Sequence, residues 1–124
     1  ERVLNETDES APWQERFVIY AKFALNNKKA IFHIYNSISR ERLEKYLYRV
    51  TDELMSKFVK SQTDFANSNE KDVKLVVMLY KYALVGLALD WVSKGMIDEP
   101  THTINRIAEI MNGITREILK QNKE

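Results

Sequence analysis

Apolar residues recur at spacings of three and four through most of the chain, and the alternation of a half-buried strand is nowhere sustained, so the pattern predicts helices alone. A first helix starts near Pro12, a residue tolerated in a first turn because its missing N–H has no partner there. Trp13, Phe17, Tyr20 and Ala24 lie on one stripe with Phe23 beside it, and Asn26 and Asn27 offer a stop. A short second helix, about 28–36, sets Ile31, Phe32, Ile34 and Tyr35 around most of its circumference and is expected to be largely buried. Ser39 is the expected N-cap of a long third helix. There Leu43, Leu47, Val50, Leu54, Phe58 and Phe65 keep phase, while Arg40, Glu41, Glu44, Lys45, Arg49 and Asp52 fill the solvated side. A polar turn over 65–70 ends at Asn69, which is placed to cap a fourth helix of about 70–94. Gly95 sits where a left-handed cap would end that helix, and Pro100 opens a fifth reaching about Gln121. Residues 1–11 read as a flexible lead-in or the remnant of a linking helix, and 12–124 as a single all-helical domain.

The fourth helix stands apart, because between Val73 and Val92 only Lys74, Lys81 and Asp90 are charged. A helix that apolar must be covered on more than one face. One stripe, Val73, Val77, Tyr80, Leu84, Leu87 and Trp91, suits an internal core, and a second, Val76, Ala83, Gly86 and Asp90, is built of smaller residues that let another helix approach closely. The fifth helix carries Ile104, Ile107, Met111, Ile114 and Ile118 on one stripe. The expectation is that Val76, Ala83, Gly86 and Asp90 pair with Ile107, Met111, Ile114 and Ile118 and with their symmetry mates. Two helices from each copy then form a four-helix bundle about a two-fold axis. Obligate interfaces of that kind bury about 2,000 Å² or more. The competing reading is a monomer whose fourth helix is the centre of a five-helix core.

Composition narrows what such a bundle does. At 124 residues one core suffices, and 44% hydrophobic with 30% charged residues excludes a disordered chain. The formal charge of +1 supplies no field to draw this segment onto nucleic acid by itself. No cysteine is present, which removes disulfides and thiolate sites and suits a cytoplasmic location. No apolar run is read as reaching the roughly 18 residues of a membrane span, so no membrane partner is expected. The two histidines, His33 and His102, come with no metal-ligand spacing, no triad and no phosphate loop, so no catalytic residue, metal or cofactor is expected and the chain does not read as an enzyme. His33, in an apolar helix with Asn36 close behind, reads either as a buried histidine satisfied by one partner or as a polar contact in a ligand pocket. Six tyrosines and five phenylalanines supply wall material for such a pocket. The candidates are Tyr20, Phe23, Phe32, Tyr46, Tyr80 and Trp91 together with His33 and Asn36.

The segments Ala24 to Ser37 and Arg42 to Tyr48, followed by Tyr80 to Leu87, Trp91 to Met96 and an acidic pair before Pro100, occur in an order and at distances that resemble the C-terminal region of TetR-family transcriptional regulators. The resemblance covers most of residues 13–100. It implies an all-helical homodimer built on the last two helices, with a cavity among the preceding ones for a small-molecule effector, and repression released by ligand. It further implies that operator DNA is read by an N-terminal helix-turn-helix. No such motif precedes Glu1, so operator contact is expected only through a part outside this chain. The alternative is an interaction module of a regulator that has no effector cavity and answers to a partner protein.

Overall fold

The computed structural model describes residues 12–62 and 69–120. The lead-in over 1–11, Phe65 and most of the turn before Asn69 lie outside the described residues. Five helices follow one another, α1 (Trp13–Asn26), α2 (Lys28–Tyr35), α3 (Arg40–Lys60), α4 (Glu70–Ser93) and α5 (Thr101–Lys120), and no strand occurs among the described residues. The chain is all-α.

The helix ends are held by the side chains the sequence singles out, with one exception. Asn27 Nδ2 donates to the Phe23 carbonyl at 2.8 Å and Asn36 Nδ2 to the Phe32 carbonyl at 2.9 Å, so each asparagine takes up an orphan carbonyl of the helix it ends. Asn69 Oδ1 accepts from the Lys71 and Asp72 amides at 2.8 and 3.3 Å and caps α4. At the far end of α4, Gly95 has φ +96° and Met96 φ +51°, and their amides bond back to the Val92 and Trp91 carbonyls. Glu99 opens α5 by accepting from the Thr101 amide and hydroxyl, which lowers its pKa. The exception is Ser39, which stands at the N-cap of α3 without a capping bond; Ser37 Oγ instead accepts from the Ser39 amide and donates to the Ile34 carbonyl.

The packing is led by α3 against α4, with α1 and α5 closing over them. Trp13, Leu54, Met55, Val59, Val76, Val77, Tyr80, Leu84 and Ala108 form one buried cluster. Tyr80 is its hub. Its ring meets Trp13 and Phe58 edge-on at 5.6 and 5.8 Å, and its hydroxyl bonds to Asn112 Oδ1 at 2.8 Å and to the Thr115 hydroxyl at 2.9 Å. Trp13 Nε1 donates to the same Asn112 oxygen at 2.9 Å, so α1, α4 and α5 are tied through one amide. Burial pushes the Tyr80 phenol up to about 12.

Two expectations need correction. The second helix has no fully buried residue, and His33 on it is exposed, so neither reading of His33 as a buried group applies. Eight residues make barely two turns, and an apolar coat around so short a helix does not say which face is covered. The apolar run of α4, 1.7 in mean hydropathy over its best window, is long enough to cross a membrane by length and composition, contrary to the sequence reading. Its packing is that of a central helix, since Val76, Val77, Tyr80 and Leu84 of α4 belong to the core.

Candidate functional site

Four helices, joined by a single residue of α2, leave a cavity of about 490 Å³ between them. Phe17, Tyr20, Ala21 and Ala24 line it from α1, and Leu43, Leu47, Val50 and Thr51 from α3. Leu84, Leu87, Ala88 and Trp91 contribute from α4, Ile104 and Ile107 from α5, and Ile31 alone from α2. The α4–α5 connection supplies Ile97 and Pro100. The cavity exists because small side chains stand where large ones would fill it: Ala21 and Ala24 on one wall and Ala88 on another. Its size is that of a site for a small molecule, and its surface is mostly apolar.

The polar groups of the wall differ in how they are satisfied. Trp91 Nε1 donates to the Asp98 carbonyl at 2.8 Å, and Lys94 Nζ lies 3.0 Å from Asp90 Oδ2. The buried Tyr20 hydroxyl has no hydrogen-bond partner among the described residues, nor do Arg16 Nε and Gln14 Oε1 on the same helix. Leaving a buried polar atom unpaired costs about 1–3 kcal/mol. Burial raises the Tyr20 phenol above its ordinary pKa, while the Arg16 guanidinium pulls it down. The hydroxyl is therefore a protonated donor at neutral pH.

Of the eight pocket candidates, the structure brings Tyr20 and Trp91 together on the cavity wall. Phe23 is half-exposed, Phe32 is partly buried away from the cavity, and His33 and Asn36 are exposed, Asn36 serving as a helix cap. Tyr80 is in the core. Tyr46 lies in a shallow basic depression with Arg42, Lys45 and Arg49, whose guanidinium stands 5.3 Å from the Tyr46 ring centre. Aromatic content points to pockets and cores alike. The signal missed was the alanines, whose phase on α1 and α4 marks the cavity walls.

A second feature is the set of exposed apolar side chains on α4 and α5. Leu75, Met78, Leu79 and Tyr82 of α4 and Ile110 and Ile114 of α5 are exposed, Leu79 at 62% and Ile114 at 56%. Ala83, Gly86 and Asp90 share the exposed side of α4, and a Cβ at Gly86 would meet nothing within 4 Å among the described residues. Val76, at 4%, belongs to the core, while Ile107, Met111 and Ile118 are partly buried against it. Of the pairing stripes expected from sequence, Ala83, Gly86, Asp90 and Ile114 stand outside and the other four turn inward. The larger exposed side chains around them were absent from that expectation.

Among the described residues no group of three or more His, Cys, Asp or Glu side chains is gathered as a metal site requires. A family model described as a transcriptional regulator C-terminal region matches residues 12–113. Comparison with curated proteins and with solved structures finds no match.

Proposed function

Because the chain belongs to the TetR-type family of transcriptional regulator C-terminal regions over residues 12–113, we propose that it is the dimerisation and effector-sensing domain of a regulator whose repression is released by a small, largely apolar effector. The observation that carries this reading is the cavity of about 490 Å³, walled from α1, α3, α4 and α5 and widened by Ala21, Ala24 and Ala88. Cavities of several hundred cubic ångströms with few polar groups are how proteins enclose small organic molecules. The exposed apolar side chains of α4 and α5 support pairing with a second copy, since exposed apolar patches mark interfaces. DNA contact is left to a part outside this chain, consistent with its formal charge of +1.

The test is a fluorescence titration with N-phenylnaphthylamine, an uncharged apolar probe that brightens on leaving water. The expected result is one saturable site per chain, lost in Ala21→Trp, which fills the cavity from α1, while helical circular dichroism is unchanged. Binding that survives Ala21→Trp overturns the effector reading and leaves the partner-protein alternative.

A further inference from the structure

The walls of the cavity carry information about the head group of what they hold. Among the wall residues, Tyr20 is the one whose buried polar atom has no partner among the described residues; the Trp91 indole and the Lys94 ammonium are already engaged. One helical turn earlier, Arg16 is 8% exposed and its Nε is also without a partner. Tyr20 thus stands on the cavity wall with the Arg16 guanidinium one turn behind it, close enough to act on the phenol, and neither the Tyr20 hydroxyl nor Arg16 Nε has an acceptor among the described residues.

We propose that the effector is an amphiphile with an anionic head, a carboxylate in its simplest form, which accepts from the Tyr20 hydroxyl and is held by the Arg16 guanidinium, while its apolar body lies between Ala21, Ala24 and Ala88. This rests on the cavity being the effector site and names the class of molecule it takes. The other groups acting on Tyr20 are Glu53 and the Tyr46 phenol. Glu53 is exposed and opposes an anion, but solvent and salt screen an exposed charge far more than a buried one such as Arg16. A cationic head would have to sit against the buried guanidinium, and an alcohol would bring no opposite charge to it. Because the Tyr20 hydroxyl is shielded from solvent, a hydrogen bond made there faces little competition from water, and a ligand unable to make it is rejected.

Displacement of N-phenylnaphthylamine by decanoate, methyl decanoate and decanol tests the inference. The expected order places decanoate about 10-fold or more tighter than either neutral amphiphile. That preference is expected to vanish in Tyr20→Phe and in Arg16→Gln, with both variants still binding the uncharged probe. Tyr20→Phe removes a single oxygen and keeps the ring, so a folding defect in Arg16→Gln leaves the test standing. Equal binding of acid and alcohol, or a preference that survives Tyr20→Phe, overturns the inference while the cavity reading stands. Failure of the probe and all three amphiphiles to bind overturns the cavity reading and this inference with it.

Discussion

Tyr80 is where three helices meet, and its hydroxyl is the group on which their alignment depends. Removing it in Tyr80→Phe leaves the buried Thr115 hydroxyl without that bond and Asn112 with only Trp13 of the pair. The expected loss is about 1–2 kcal/mol, read as a lower denaturation midpoint in urea. The same residue gives a pH signature. Its folded pKa, about 12, lies above the ordinary 10.0, so the neutral form is favoured by folding. This contribution is whole below pH 10 and is lost as pH rises toward 12. It amounts to something on the order of 2–3 kcal/mol by linkage. Other tyrosines titrate in that range, so the quantity to measure is the stability difference between wild type and Tyr80→Phe, which is expected to shrink across it. A difference that stays constant between pH 10 and 12 would rule out Tyr80 as its source. The two tryptophans divide the optical work similarly. Trp13 is 2% exposed in the core and reports folding, whereas Trp91 lines the cavity and is expected to carry any emission change on probe binding. Trp91→Phe should abolish that change and keep the unfolding signal.

At the scale of elements, α4 shows what a sequence reveals and what it hides. Its bounds, its Asn69 cap and its Gly95 terminator were legible because each depends on local chemistry: a side-chain acceptor for free amides, and a residue that tolerates positive φ. That it needs covering on more than one face was also legible, from three charges in twenty residues. Which stripe goes to which partner was not, because Val76 and Ala83, just under two turns apart, point within about 20° of each other at 3.6 residues per turn, yet one is buried and the other exposed according to what packs beside each. The same limit hid the walls of the cavity, since alanines in phase do not say whether a neighbouring side chain fills the space beside them. Pairing through the exposed stripe makes a sharp prediction. A Cβ at Gly86 meets nothing within 4 Å among the described residues, so a loss of self-association by Gly86→Leu in sedimentation equilibrium, with helical circular dichroism unchanged, would come from the interface. Leu79→Glu places a carboxylate twice in a two-fold interface and is expected to weaken the dimer at least about 100-fold. A wild-type chain that is monomeric at micromolar concentration, or variants that associate like wild type, would refute pairing on this face.

For the whole molecule, the two features share one element, because α4 serves both. Leu84, Leu87, Ala88 and Trp91 of α4 wall the cavity, and Leu75, Leu79, Tyr82 and Gly86 of the same helix face outward. A rigid helix that is shifted or rotated by an occupant on one side presents a different surface on the other, and well-packed helices move as units. Filling the cavity should therefore alter self-association, and linkage requires the converse by the same factor. Couplings of this type are commonly about 5–150-fold. The measurement is the affinity for N-phenylnaphthylamine at protein concentrations well below and well above the dimer midpoint, beside the dimer dissociation constant with and without saturating probe. Two ratios that agree and differ from unity by about 5-fold or more would identify α4 as the element that carries the signal. Ratios of one, with binding and pairing both intact, would mean that α4 holds still, and the effector's message would have to leave the domain through another wall helix, α1, α3 or α5.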